Sequence, residues 1–328
     1  MIVSCISIQK SVDNFSIKRN KRGILKNFNP GDEATLKNYI ESFDLEQRTE
    51  VSPDIAPPRV EPLLKWHTKS KVSINYGKWI FKSDFFKHKV PGDALFYVLK
   101  QTPLPGSKVI LFIPGFGVSD FAFTLIKTFF KTEIEAGYNV VIYIPPYHME
   151  RQKRGKPPGS GLITASPLNN VQIMVNSVKE LRTVYNYLKD EGAVSIGAWG
   201  GSMGGALAFM LQSLEIIDHL AVMIPVLDWN TFITPEEIYP CYEEEGFSKE
   251  TLKKAYSLIS PVSYPLTIQP GRVQIEAALY DQLNPVRSIR NYAKNNGIKD
   301  FHTYKAGHAL ILLDKKIYRD YALFLERL

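Results

Sequence analysis

Strands alternating with helices over most of the chain predict an open α/β sheet, mostly parallel, with helices on both faces. Three observations carry that reading. Runs such as Val109-Ile110-Leu111-Phe112-Ile113 are apolar throughout, as a strand covered on both faces requires. Stretches with helical periodicity separate these runs. One run, 194–199, ends in Gly200-Gly201-Ser202-Met203-Gly204-Gly205 and passes at once into helix-compatible sequence at 206–214.

The elements follow in order. Residues 1–65 read as an N-terminal extension. Within it Asn29-Pro30-Gly31 marks a turn, and Asp32 is positioned to cap a helix over 33–43. Val51-Ser52-Pro53 and Ala56-Pro57-Pro58 read as an extended linker over the surface. Residues 66–328 read as one domain. Segments 72–81 and 94–100 alternate as antiparallel strands joined through Pro91-Gly92-Asp93. After the strand at 109–113 come a helix at 120–136, a strand at 140–144, a helix at 168–189 and a strand at 193–199. Strands at 219–226, 272–279 and 301–304 follow, the last two leading into helices at 285–295 and 314–327. Two connections are unusually long. One, 145–165, carries Arg151, Lys153, Arg154 and Lys156. The other, 228–270, carries two short helical patterns and many aromatics, among them Trp229, Tyr242 and Tyr256, and is expected to be a cap over a pocket.

Composition is that of an ordinary globular chain, 45% hydrophobic and 22% charged over 328 residues. No apolar run approaches the ~18 residues that span a bilayer. Residues 1–8 are apolar but lack a basic lead and a small-residue cleavage site, so no secretory signal is read. Cys5 and Cys241 form no disulfide or metal motif. A cytoplasmic protein is expected. The net charge of +7 includes a second basic cluster at Lys18, Arg19, Lys21 and Arg22. Neither cluster is interleaved with base-stacking aromatics, so both read as solvated and no nucleic-acid partner is expected. Oligomeric state is open.

The chemistry centres on Ser202. A serine at a sharp strand-to-helix corner has its hydroxyl exposed, and glycine is needed two residues to either side, where Gly200 and Gly204 stand. The corner also aims Met203 N–H, the first amide of the helix, at whatever the serine attacks. A serine hydroxyl needs a base, normally histidine, itself oriented by a carboxylate. Ligands in such sheets bind beyond the carboxyl ends of the strands. Of the histidines after Ser202, His219 falls at the start of a strand and His302 within one. His308 follows the last strand beside Gly307, so position selects it. Asp281, at the end of the 272–279 strand, is the preferred acid, with Asp228 after the preceding strand as the alternative. A second oxyanion donor is sought in Ile113-Pro114-Gly115-Phe116-Gly117, as Phe116 N–H, or Gly117 N–H if the turn is shifted by one.

With the elbow Gly200-Gly201-Ser202-Met203-Gly204 and the order Ser202, Asp281, His308, residues 70–328 resemble the α/β-hydrolase superfamily. The resemblance implies a mostly parallel eight-stranded sheet, a small helical cap after the sixth strand, and no metal or organic cofactor. Where many members have His-Gly, this chain has Pro114-Gly115, which leaves the register of the donor loop open. The elbow is also similar to that of homoserine O-acetyltransferases. The function expected is serine hydrolysis of a carboxylic ester, a thioester or amide remaining open, through an acyl-enzyme. The alternatives are acyl transfer by the same three residues and a non-catalytic binding protein on this fold. The substrate is expected to be a small molecule.

Overall fold

The computed structural model describes residues 2–26, 28–63, 66–67, 73–83, 93–119, 130–233 and 236–328. Its strands are β1 (Arg59–Pro62), β2 (Trp66–His67), β3 (Ser73–Phe81), β4 (Ala94–Lys100), β5 (Lys108–Ile113), β6 (Tyr138–Ile144), β7 (Ser195–Gly201), β8 (Leu220–Met223), β9 (Val273–Ala278) and β10 (Asp300–Tyr304). They form one sheet in the order β1-β3-β4-β6-β5-β7-β8-β9-β10, with β2 paired to β3 off that path. From β6 to β10 every pairing is parallel, whereas β1, β2, β3 and β4 pair antiparallel. The sheet therefore exceeds the eight strands implied. The chain leading into β3 folds back along it, which adds β1 and β2, and β1 comes from the segment read as an extension.

Alternation across the sheet accounts for the continuous apolar runs. In β5, Val109, Leu111 and Ile113 enter one core, while Ile110 and Phe112 enter the other. β6 divides in the same way, with Val141 and Tyr143 on the first side and Val140, Ile142 and Ile144 on the second. Helices Pro167–Asp190, Met203–Gln212 and Val286–Asn295 cover the first core. Lys131–Glu135 and Lys315–Leu325 cover the second, where the Trp199 ring stacks on Tyr321 with centroids 4.1 Å apart.

Capping follows the sequence closely. Asp32 accepts Thr35 N–H at 2.7 Å at the start of helix Glu33–Glu41, and Asp314 caps Lys315–Leu325. β8 stops earlier than 226 because Ile224 takes a φ of 45° immediately before Pro225, which no strand accommodates. Residue 72, the turn at 91–92 and the 120–129 part of the expected helix lie outside the described residues. The 24-residue helix Ile2–Leu25 has no counterpart in the sequence reading. Among the described residues no helix is long and apolar enough to cross a membrane.

Candidate active site

The parallel register aligns the carboxyl ends of β5, β7, β8, β9 and β10 along one edge, and the expected site residues all follow those ends. β7 ends at Gly201 and helix Met203–Gln212 begins one residue later. Ser202 turns the corner at φ 52°, ψ −115°, a conformation that costs a non-glycine residue about 1–3 kcal/mol. Neighbouring strands hold it there. Ser202 N–H donates to Met223 O at 2.8 Å, and Val226 N–H donates to Ser202 O at 3.1 Å. The flanking glycines are a steric necessity. A Cβ on Gly200 would stand 2.3 Å from Gly204 O, and one on Gly204 would stand 1.9 Å from Ile113 O.

The three side chains expected to act together form one hydrogen-bonded chain. Ser202 Oγ lies 2.9 Å from His308 Nε2, and His308 Nδ1 lies 2.8 Å from Asp281 Oδ2. The Asp281 carboxylate is fully buried, and its other oxygen accepts Leu283 N–H and Asn284 N–H, each at 2.8 Å. The backbone amides on Oδ1 thereby hold the carboxylate with Oδ2 toward the imidazole. Asp228 stands elsewhere in the hydrogen-bond network. Its Oδ1 accepts Asn230 N–H at 2.9 Å in a local turn at the start of helix Trp229–Ile233.

His219 and His302 lie apart from this chain, as their strand positions imply. His219 is buried with Nε2 3.3 Å from Tyr321 Oη, and burial holds its pKa down at about 3. Its ring fills the space beside Gly197, where a Cβ would come within 1.9 Å of it. His302 pairs with Asp300 at 2.6 Å.

The loop after β5 abuts the elbow. A Cβ on Gly115 would lie 3.1 Å from Gly201 O and 3.2 Å from Ser202 Cβ. Of the two amides considered as the second oxyanion donor, Gly117 N–H is committed to His148 Nε2 at 2.8 Å. Phe116 N–H is then the candidate alongside Met203 N–H. Sequence reasoning missed His148. Its Nδ1–H donates to Pro146 O at 2.8 Å, which leaves Nε2 as the acceptor. Burial pushes its pKa down to about 4, so the ring is neutral near pH 7 and retains that acceptor. Its flanks, Tyr147 and Met149, both have positive φ, 64° and 48°.

Above Ser202 and His308 opens a cavity of about 780 Å³. Phe116, Val118, Ile163, Ile224, Leu283 and Leu312 make its walls largely apolar, and helix Ile2–Leu25 adds Phe15 and Ile24. The 145–165 connection reaches this cavity through 157–161 and 163–165, but Arg151 is not among the lining residues. Its guanidinium is buried and bidentate to Glu180 at 2.8 Å on both arms, with Tyr143 Oη–H donating to the same carboxylate at 2.6 Å. The 228–270 segment, expected as the cover, supplies none of the described lining residues. Its aromatics Trp229, Tyr242, Phe247 and Tyr256 are buried in the first core instead, with Tyr242 Oη–H donating to Ala165 O at 2.8 Å. Aromatic content measured apolarity, which a core satisfies as well as a lid does.

No protein-family model matches the sequence, and no curated protein matches it. Solved structures do match in three dimensions. An acetyl xylan esterase from Paenibacillus sp. R4 is similar with a TM-score of 0.56 at 15% identity, over 89% of this chain and 93% of that one. Acetyl xylan esterase 1 from Thermoanaerobacterium sp. JW/SL YS485 gives 0.54 at 16% identity, over 90% and 94% of the two chains. The Pyrococcus furiosus esterase Pf2001 gives 0.52 at 16%, over 83% and 99%. At such identities the likeness is one of fold. Together with the sheet order and the elbow at Ser202, it establishes that this chain has the α/β-hydrolase fold.

Proposed function

We propose that the protein is a serine hydrolase that cleaves a carboxylic ester through an acyl-enzyme. The single observation that supports this most is the unbroken chain Ser202 Oγ, His308 Nε2, His308 Nδ1, Asp281 Oδ2 at the floor of an apolar cavity. That the structural neighbours include proteins named as esterases agrees with it.

In this reading Ser202 Oγ attacks the ester carbonyl while its proton passes to His308 Nε2. Asp281 fixes the tautomer with the proton on Nδ1 and stabilises the imidazolium that forms. The oxyanion is received by the N–H groups of Met203 and Phe116. Collapse expels the alcohol with the proton from His308, leaving the acyl group on Ser202. Water attacks next and gives its proton to His308. Ser202 then leaves with that proton, and the carboxylic acid is released. A cavity of about 780 Å³ is larger than an acetyl group needs, so the substrate fits as a small molecule with an apolar acyl or alcohol part.

The test is a screen of p-nitrophenyl esters of graded chain length, combined with labelling by a fluorophosphonate. Ser202→Ala should lower kcat by a factor on the order of 10⁴ to 10⁶ and abolish labelling. Near-wild-type turnover in that variant, or no labelling of the native protein, would sink the proposal. Acyl release that depends strongly on added alcohols or amines would point to acyl transfer instead.

A further inference from the structure

The N-terminal helix brings a carboxylate to the site from the other end of the chain. Asp13, halfway along helix Ile2–Leu25, is completely buried. Its Oδ2 accepts His308 N–H at 2.9 Å and Gln282 N–H at 3.2 Å, and its Oδ1 accepts Ala309 N–H at 3.3 Å. These amides belong to two different loops. One follows β10 and carries the imidazole; the other follows β9 and carries Asp281. Gln9, one helical turn earlier, accepts Gly307 N–H and donates to Lys305 O at 3.5 Å. Gly307 admits this approach, since a Cβ there would lie 3.1 Å from Asp13 Oδ2.

A buried carboxylate is costly unless hydrogen bonds satisfy it, and three backbone donors do so here. The three amides of 282–284 are shared between two carboxylates, 282 going to Asp13 and 283 and 284 to Asp281. We propose that Asp13 is a positioning residue that ties the loop of His308 to the loop of Asp281, so that docking of the N-terminal helix and alignment of the imidazole are one event. The proposal rests on the reading of Ser202, His308 and Asp281 given above. Asp13 acts through the backbone of His308 and need not touch the substrate. Misplacing a reacting group by about 1 Å can cost on the order of 10²-fold, which sets the scale expected.

The experiment uses the full-length protein with Asp13→Ala and Asp13→Asn. Against a p-nitrophenyl ester, Asp13→Ala should lower kcat about 100-fold with KM within about threefold, and fluorophosphonate labelling should slow in parallel while still reaching completion. Asp13→Asn retains one carbonyl oxygen and should fall between, near tenfold; it also serves if the alanine variant does not fold. The 2.8 Å bond to Asp281 predicts a far-downfield proton resonance of His308 Nδ1–H in wild type, and it should broaden or move upfield in both variants. A kcat within twofold of wild type with an unchanged resonance would overturn the proposal. So would a labelled fraction that falls while the rate per labelled site holds, because that marks lost folding alone. The resonance reads loop alignment without any chemistry, so failure of the hydrolase reading shows separately, as wild-type protein that keeps the resonance but neither labels nor turns over.

Discussion

Two aspartates stand at neighbouring strand ends, and their hydrogen-bond partners separate them. Asp281 directs one oxygen at His308 and the other at two backbone amides, whereas Asp228 closes a local turn with Asn230. Asn at position 281 would keep the amide contacts by presenting its oxygen to them, and would turn an NH₂ toward the imidazole. The imidazole would then carry its proton on Nε2 and face Ser202 as a donor. Asp281→Asn should therefore lower kcat roughly 10³- to 10⁴-fold, while Asp228→Asn stays within about threefold. Steady-state kinetics of the two variants check this, and the reverse ranking would move the acid to Asp228. The convergence of Ser202, Asp281 and His308 was legible because each sits just past a strand end, a property read locally. Asp13 was not legible, since its partners lie 269 and 295 residues away and nothing in its own surroundings marks it.

Among the elements, the loop after β5 depends on a histidine from the loop after β6. His148 holds Gly117 N–H, next in the chain to Phe116, whose N–H is the second donor of the proposed oxyanion site. His148→Phe removes the acceptor and should lower kcat about tenfold or more, short of the ~10²–10³ that loss of a direct oxyanion donor costs. His148→Gln keeps an acceptor and a donor and should recover most of that loss. Kinetics on the same ester compare the two, and equal activity in both would remove His148 from this role. Strand and helix order could be read from apolar runs and periodicity. The roof of the cavity could not, because a segment rich in aromatics satisfies its apolarity in a core as readily as over a pocket. That is what Tyr242 and Tyr256 do. The positive φ at Tyr147 and Met149, which shapes the His148 loop, left no glycine to betray it.

Across the whole molecule, buried titratable groups set opposing pH dependences. His148 and His219 have folded pKa values of about 4 and about 3, against 6.5 when unfolded. Between those values the unfolded chain binds protons that the folded chain does not, so stability falls as the pH drops below about 6.5. Glu133 acts the other way. Burial raises its carboxyl from 4.5 to about 7, and neither oxygen has a hydrogen-bond partner among the described residues. In that window the folded state holds the extra proton, so this group's contribution is lost as the pH rises from 4.5 to 7. Glu133→Gln should leave Tm nearly unchanged at pH 4 and be the more stable protein at pH 8, by up to about 3 kcal/mol. Thermal melts across that range decide it, and a gap that fails to widen counts against the buried carboxyl.

During synthesis, helix Ile2–Leu25 emerges well before the loop it must grip, which lies 295 residues behind Asp13. The whole span between them must be made before Asp13 meets the amides of His308 and Ala309. A chain that stops short of residue 308 therefore lacks this clasp. Alignment of the imidazole thus waits on a contact between segments 295 residues apart, made when this helix and the loop of His308 meet.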